Sequence, residues 1–296
     1  MTAPFTLYCK SYRTDLRRVT RLVQSIARYN VDGLPFYVSV PKTDLALFRQ
    51  HLDGMAVQVI EDEAILAQTP YAGSNLTEGL PGHISQQIVK SEFWRLGLSD
   101  AYLCLDSDAV FIRPFQVSDF IWGDGIPYTV MDEGHDYLEF SLSGGKPQIL
   151  SDFRQEAERV QQLFGRSGRI YSFGPFPLAW HRSVWESLDR EYLRPRGMNL
   201  VNAIQSAPLE SRWYGEALLA YQAIPLMPCQ ALFKVYHYAW QFDLDRRKGI
   251  STEELSSIYA GVIYQSAWER KMDWPSEGGN LASRIGRRLR RRLGRI

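Results

Sequence analysis

The sequence contains few of the features that mark disulfide-stabilised, secreted or membrane-spanning proteins. It has only three cysteines, Cys9, Cys104 and Cys229, which are far apart and form neither a CxxC pair nor a Cys/His cluster with zinc spacing. The stretch from Met1 to Lys10 has no charged region followed by a long apolar segment, and eighteen apolar residues nowhere run together. We therefore expect free thiols, no signal peptide, no transmembrane helix and a cytoplasmic location.

The sequence also lacks internal repeats and, before its C-terminal tail, low-complexity segments. Its 296 residues are 45% hydrophobic and 13% aromatic, which is enough to bury a large core. A charged fraction of 23% is that of an ordinary globular protein rather than a disordered one. We expect one large domain over residues 1–245, a helical extension over 246–280 and a separate tail over 281–296.

The tail is strongly basic, although the net charge of the whole chain is only +1. Residues 284–296 contain seven arginines and no acid, so the rest of the chain is net acidic. Leu281, Ile285, Leu289 and Leu293 recur every four residues, which predicts an amphipathic cationic helix.

Such a helix is suited to an anionic membrane surface, because each basic residue near that surface contributes about 1 kcal/mol. We therefore expect peripheral contact with the inner face of the plasma membrane through residues 281–296, the alternative being a solvated terminus. Clustered arginine also binds nucleic acid, but the acidic body and the absence of a recognition motif argue against that partner.

The first two thirds of the chain alternate strand-like and helix-like segments. This order is typical of an α/β protein, here a single Rossmann-like domain with a central, mostly parallel sheet flanked by helices. The predicted strands are Phe5–Cys9, Pro35–Val40, Val57–Ile60 and Ala101–Leu105, and the predicted helices begin near Thr14, Thr43 and His83.

Other segments have a weaker pattern. Residues 61–82 are rich in Pro, Gly, Ser and Asn, which predicts a long functional loop. Helices are predicted over 148–164, 209–222 and 252–269, with Thr252 as the N-cap of the last.

The segment Asp106-Ser107-Asp108 follows directly on an apolar strand. Ligands of open α/β sheets collect at the carboxyl ends of the strands, so these carboxylates lie where a ligand is expected. In extended backbone the two side chains project to one face roughly 7 Å apart, and they repel unless a cation lies between them. Mg²⁺ and Mn²⁺ prefer such oxygen ligands and accept phosphate oxygens at their remaining positions. Two carboxylates at this spacing also occur without any role in ligand binding, where a strand ends in a polar turn.

The surrounding sequence supports the ligand-binding interpretation. Residues 102–115, YLCLDSDAVFIRPF, resemble the hydrophobic-DxD-hydrophobic block of GT-A glycosyltransferases. Three further segments, Lys10–Arg18, Gly82–Lys90 and Arg212–Glu216, are similar to blocks of a bacterial family of uncharacterised glycosyltransferase-like proteins, so that the resemblance covers roughly residues 4–242.

The resemblance implies a metal-dependent nucleotide-sugar site. In it, Mn²⁺ or Mg²⁺ neutralises charge on the departing nucleoside diphosphate. The implied metal ligands are Asp106, Asp108 and His237, because many GT-A enzymes add a histidine from the C-terminal region. A histidine in an aromatic strand is also often a core residue. The implied contacts to the donor are Lys10, Ser11, Tyr12, Asp15, Gln87, Lys90, Asp106 and Ser107.

An inverting transferase also needs a carboxylate that deprotonates the acceptor hydroxyl. Glu216 and Glu210 are the candidates for this base, and Asp132 and Glu133 are weaker ones. Trp213 and Tyr214, just before Glu216, are expected to stack on a sugar ring, with Gly215 allowing close backbone approach. A retaining mechanism needs no such base, and the sequence does not decide between the two.

Together these features predict a glycosyltransferase of bacterial cell-surface polysaccharide synthesis. It would move sugar from a UDP- or GDP-sugar to a glycan or lipid-linked glycan. Two alternatives remain open. One is a non-catalytic nucleotide- or sugar-binding module of the same fold, and the other is a metal-dependent nucleotidyltransferase or phosphodiesterase.

Overall fold

The computed structural model describes residues 3–73, 76–123, 125–143 and 146–265. The tail helix predicted over 281–296 lies outside the described residues. In the described part of the chain, no helix combines the length and apolar character needed to cross a bilayer.

The strands are short, apart from two in the centre of the fold. Their bounds are β1 Ala3–Lys10, β2 Phe36–Val40, β3 Gln58–Glu61, β4 Ser99–Leu105, β5 Ala109–Phe111, β6 Ile121–Trp122, β7 Ile126–Pro127, β8 Thr129–Val130, β9 Leu178–His181, β10 Pro228–Cys229, β11 Phe233–Tyr236 and β12 Gly261–Tyr264.

The helices surround these strands. Their bounds are α1 Leu16–Tyr29, α2 Leu45–His51, α3 Asp62–Leu66, α4 Leu76–Gly79, α5 Gly82–Glu92, α6 His135–Ser143, α7 Gln148–Leu163, α8 Arg182–Ser187, α9 Leu200–Ser206, α10 Glu210–Tyr221, α11 Ala239–Arg247 and α12 Thr252–Ser256.

The predicted α/β architecture is confirmed. The central sheet has the order β3-β2-β1-β4-β9, in which the first four strands are parallel and only β9 runs antiparallel to its neighbour β4. Cys9 of β1 is paired with Leu105 of β4, so both strands end at the same edge. The residues that follow β1 and β4 therefore lie side by side.

Helices cover both faces of this sheet because their apolar residues recur with helical spacing. Val19, Leu22 and Ile26 of α1 are buried in the core on one face. Ile84 and Ile88 of α5 are buried in the core on the other. Strand β4 lies between these two cores, and its alternate residues contribute to each of them.

A second, separate sheet has the strand order β11-β12-β5. Strand β12 is parallel to β11 and antiparallel to β5, with Ile263 opposite both Val235 and Ala109. This sheet joins residues that are distant in sequence to the segment that follows Asp108.

Two predictions about the less regular segments are wrong. The loop predicted over 61–82 contains the short helices α3 and α4. The helix predicted from Thr252 to Glu269 ends at Ser256, and residues 261–264, inside the predicted helical extension, form strand β12. The helix begins at a capping box in which Ser251 accepts from the backbone of Glu254 at 3.1 Å. The β-branched residues beyond Gly261 pair with two strands instead.

Gly215, in the middle of α10, is explained by packing. A methyl group at this position would lie 2.2 Å from the ring of Phe173, which is itself buried. Glycine in a helix costs about 1 kcal/mol relative to alanine. The close approach of the ring to the helix backbone accounts for its presence.

We predict that Gly215→Ala lowers the free energy of unfolding by about 2 kcal/mol, because overpacking outweighs the gain in helix propensity. Urea denaturation measures the change. Gly82→Ala, at the first residue of α5, is the matched control because no described atom lies within 4 Å of the added methyl. Equal stabilities of the two variants would contradict the packing explanation.

His181 ends β9 and caps α8, since its Nδ1 accepts a hydrogen bond from Ser183 N at 3.2 Å. Burial lowers the pKa of His181 below its usual 6.5. The unfolded chain therefore takes up a proton near pH 6.5 that the folded chain does not, and folding is weakened as the pH falls below that value.

His181→Asn keeps a good N-cap but cannot titrate in this range. We predict that the stability of the wild type relative to this variant falls as the pH is lowered from 7 to 5. Urea denaturation at each pH measures both proteins. A stability difference that stays constant across this range would show that His181 does not lose its cap by protonation.

Candidate active site

The turn Asp106-Ser107-Asp108 joins β4 to β5 at the carboxyl edge of the sheet. Ala109 N donates to Asp106 O at 3.1 Å within the turn, and Tyr264 N of β12 donates to Asp108 O at 3.2 Å. The side chain of Asp106 is 25% exposed, whereas Asp108 is buried. The sequence prediction that a carboxylate pair ends this strand is thus matched by the backbone geometry.

Asp106 and Asp108 line different cavities. Asp106 lines a cleft of about 150 Å³. Asp108 lines a small neighbouring cavity of about 10 Å³ together with Ser107, Arg18, Arg21 and others. The larger cleft is the one with room for part of a ligand. Besides Asp106 it is lined by Tyr137, Ser172, Gly174, Pro175, Phe176, Leu209, Ser211, Val235, His237, Ile263 and Gln265.

Lys90, in the last turn of α5, binds Asp106 directly. Its Nζ donates to Asp106 Oδ1 at 2.5 Å and lies 3.9 Å from Glu210 Oε1. The same ammonium lies 4.3 Å from the centre of the Phe176 ring, which is the geometry of a cation–π contact. Lys90 is only 3% exposed, so a buried positive charge stands beside the acidic end of β4.

Burial and neighbouring charges shift the pKa values of Lys90 and Glu210 in opposite directions. Burial lowers the pKa of Lys90, but Asp106 and, more weakly, Glu210 outweigh it, so the pKa lies above its usual value and the ammonium keeps its proton. Burial raises the pKa of Glu210, and Lys90 opposes that rise only in part. The site at neutral pH therefore contains a fixed cation.

His237 also lines this cleft and directly follows β11. Its backbone N–H donates to Gln241 Oε1 at 2.8 Å, which fixes the segment against the start of α11. Burial, with a smaller effect of Lys234, lowers the pKa of His237 to about 4. The imidazole is therefore neutral at physiological pH, the form that can bind a metal.

Two of the three predicted metal ligands, Asp106 and His237, line one cleft, and Asp108 lines the smaller cavity. Carboxylate oxygen and neutral imidazole nitrogen are both metal-ligand types. Within the described residues, no three His, Cys, Asp or Glu side chains form a group able to hold a metal. An ion bound by two or three of these residues would take its remaining ligands from substrate phosphates and water, as Mg²⁺ often does.

The loop after β1 places its predicted residues differently. Lys10 Nζ lies 2.9 Å from Asp62 Oδ2 in a buried ion pair, and the ammonium does not line the cleft. Tyr12 is 45% exposed and accessible to a ligand. Ser11 is buried, and its hydroxyl has no hydrogen-bond partner among the described residues.

Gln87 lies one turn before Lys90 on α5, so the two side chains share a face. Its Nε2 donates to His83 O at 2.9 Å. Its Oε1 is buried and has no hydrogen-bond partner within the part of the chain that the structure describes. Ser11 and Gln87 thus each have a buried side-chain oxygen without a hydrogen-bond partner in the described residues, which is unusual for a folded protein.

The carboxylates predicted as bases are not in the cleft. Glu216 Oε2 accepts from Arg166 Nε at 2.6 Å, and the side chain is buried. Glu210 is buried beside Lys90, beneath the cleft-lining residues Leu209 and Ser211. Burial also raises the pKa of Glu216. Neither carboxylate is placed to deprotonate an acceptor in this cleft.

The structure also changes the interpretation of Trp213, Tyr214, Asp132 and Glu133. Trp213 and Tyr214, expected to stack on a sugar, are buried in the core, where Tyr214 OH accepts from His181 N at 2.8 Å. The weaker base candidates are occupied elsewhere, because Asp132 Oδ1 accepts from Gly134 N at 2.5 Å and Glu133 pairs with an arginine.

The aromatic residues that do line the cleft were missed. Phe176 lies in the segment Gly-Pro-Phe-Pro at 174–177, and Tyr137 lies on α6. The two prolines around Phe176 are a signal of an irregular, fixed loop that sequence reasoning could have used. Ser172, Ser211 and Gln265, the other polar residues of the cleft, carry no recognisable motif.

Comparison with known proteins agrees with the fold. The chain is similar to the WbbM bifunctional glycosyltransferase, with a TM-score of 0.51 and 10% identity over 89% of this chain and 46% of that one, so it spans less than half of WbbM. The structure of mouse xyloside xylosyltransferase 1 gives a TM-score of 0.47 and 8% identity, over 90% of this chain and 99% of that one.

No curated protein matches the sequence. The similarity to WbbM shows that the parallel-rich α/β fold is one that glycosyltransferases use. Residues 2–194, more than half of the chain, match a single family, and the protein therefore belongs to the family described as "Family of unknown function (DUF6492)".

Proposed function

We propose that the protein is a metal-dependent glycosyltransferase that moves a sugar from a UDP- or GDP-sugar to a glycan or lipid-linked glycan acceptor. The observation that carries the proposal is the position of Asp106. It lies just after the carboxyl end of the parallel strand β4, in a cleft that it shares with neutral His237 and beside cationic Lys90. The similarity of the fold to WbbM supports the same reaction class.

The residues that would hold Mn²⁺ or Mg²⁺ are Asp106 and His237, which line the cleft, together with Asp108, which lines the smaller cavity two residues further along the turn. A bound divalent ion would neutralise the charge that grows on the leaving diphosphate. Carboxylate oxygens and a neutral imidazole nitrogen are suitable ligands for these ions. The buried ammonium of Lys90 contacts Asp106 and adds a second positive charge at the same edge.

The proposed nucleotide site lies between the loop after β1 and helix α5. Ser11 and Gln87 have buried oxygens without partners in the described residues, and the hydroxyls of a ribose or the edge of a base would satisfy them. The ring of Tyr12 is exposed enough to stack on a base.

The proposed sugar site is the cleft itself. Tyr137 and Phe176 supply apolar ring faces for the C–H groups of a pyranose. Ser172, Ser211 and Gln265 supply hydrogen-bonding groups for its hydroxyls. The volume of about 150 Å³ accommodates one sugar ring better than an extended glycan, so the acceptor is expected to approach from the mouth. The basic segment over 281–296 is proposed to hold the protein at an anionic membrane surface, where lipid-linked acceptors lie.

We predict that the protein hydrolyses or transfers sugar from at least one UDP- or GDP-sugar only when Mn²⁺ or Mg²⁺ is present. Asp108→Ala should lower this turnover by about 10²–10³-fold, because it removes a group that stabilises the transition state. Release of nucleoside diphosphate, measured over a panel of nucleotide-sugars with and without metal, tests the prediction.

Asp100→Ala is the matched control, because Asp100 is an exposed carboxylate at the other end of the same strand. Its ion pair with Arg182, at 3.4 Å, is on the surface and contributes little to stability. Turnover of Asp108→Ala equal to that of Asp100→Ala would contradict the proposed role. Release of diphosphate that continues after removal of metal would contradict the metal dependence.

A further inference from the structure

Ser107, the central residue of the Asp106-Ser107-Asp108 turn, makes a long-range hydrogen bond. Its hydroxyl donates to Asp15 Oδ2 at 3.0 Å, although the two residues are 92 positions apart in sequence. Ser107 is 7% exposed and Asp15 is 8% exposed. A buried hydrogen bond to a carboxylate is stronger than one between neutral groups, and it is hardly weakened by competing water.

Asp15 is itself held in place. It immediately precedes α1, and its backbone N–H donates to Tyr12 O at 2.8 Å. Its other carboxylate oxygen, Oδ1, forms an ion pair with Arg18, one turn into the helix. Both oxygens are therefore committed, and the acceptor for the Ser107 hydroxyl is fixed relative to helix α1.

Fixing Ser107 also fixes the residues on either side of it. The backbone hydrogen bonds described for the turn hold Asp106 O and Asp108 O, and Lys90 holds the carboxylate of Asp106. The bond from Ser107 to Asp15 adds a further point of attachment at the middle residue of the turn. It ties the segment between the two carboxylates to the start of helix α1.

Neither Asp15 nor Ser107 lines the cleft. Asp15 does not line the smaller cavity either, where Ser107 lies beside Asp108. The two residues are thus placed to act on the flanking carboxylates rather than on a nucleotide. This differs from the donor contact that the sequence resemblance implies for them.

We propose that Asp15 and Ser107 are positioning residues. Their hydrogen bond holds the Asp106-Ser107-Asp108 turn in the arrangement that binds a divalent cation, and it ties that turn to the loop between β1 and α1. The inference rests on the proposed function in one respect, namely that this turn binds metal. It adds that the affinity for metal depends on a residue that does not touch the metal.

The chain offers a closely matched control for this bond. Thr6 Oγ1 and Ser99 Oγ lie 2.8 Å apart in a buried hydrogen bond between β1 and β4. Ser99 is 3% exposed and is the first residue of β4, at the opposite end of that strand from the turn. Ser99→Ala therefore removes a buried serine hydroxyl that also makes a long-range hydrogen bond, but away from the turn.

The experiment is titration of the purified full-length protein with MnCl₂ alone, followed by calorimetry, for the wild type, Ser107→Ala and Ser99→Ala. We expect Ser107→Ala to bind Mn²⁺ about tenfold more weakly or worse, which is the usual effect of removing a group that orients a metal ligand. We expect Ser99→Ala to bind it as the wild type does. Thermal unfolding of both variants checks that they are folded at the temperature of the titration.

A second comparison tests whether Asp15 acts through Ser107. Asp15→Ala should weaken Mn²⁺ binding, and the double variant Asp15→Ala/Ser107→Ala should bind no more weakly than Asp15→Ala alone, because both changes remove the same bond. If the fold loss of Mn²⁺ affinity in the double variant equals the product of the two single losses, the two residues act separately, and the inference is overturned.

The outcomes separate the inference from the function on which it rests. A wild-type protein that does not bind Mn²⁺ would overturn the metal site and, with it, the proposed function and the inference. Binding by the wild type, with equal affinities of Ser107→Ala and Ser99→Ala, would overturn the positioning role alone. Weaker binding by Ser107→Ala only would support it.

Discussion

The buried attraction between Lys90 and Asp106 is the interaction on which the site depends. Lys90 is 3% exposed, and a buried ammonium would be expensive without a compensating charge. Asp106 supplies that charge from the end of β4 at 2.5 Å, and the Phe176 ring lies 4.3 Å from the ammonium. Without Asp106, the ammonium would have only the more distant Glu210 as a partner among the described residues. The helix, the strand and the loop at 174–177 are therefore arranged around one ion pair.

Strand order explains why this pair faces a cleft rather than the interior. Since β1, β2, β3 and β4 are parallel, their carboxyl ends share an edge, and ligand sites of open α/β sheets form at that edge. The antiparallel strand β9 borders β4 on its other side, and the second sheet brings His237 to the same place. The cleft is thus assembled from segments that are far apart in the sequence.

Local pattern was enough to predict the strand that carries Asp106, the helices on either side of the sheet, and the edge at which the site lies. It failed where burial is decided by a distant partner. Trp213, Tyr214 and Glu216 have the composition of a sugar site, but distant segments bury them. Phe164 and Arg166, at and after the end of α7, contact Trp213 and Glu216, and Trp180 and Trp185 pack on Tyr214. Lys10 has the positive charge expected of a residue that binds phosphate, but it forms a buried ion pair with Asp62. Strand β12 was missed because so short a segment is ordered only by the strands on both sides of it.

Strand β12 is the middle strand of the second sheet, and this has a consequence for folding during translation. The ribosome makes β5 together with the turn before it, and it makes β12 only after most of the described chain. Until residues 261–264 emerge, the nascent chain carries β5 without its neighbour, and an unpaired strand edge is a template for wrong association. The sheet next to the acidic turn is therefore completed only late in the synthesis of the described chain.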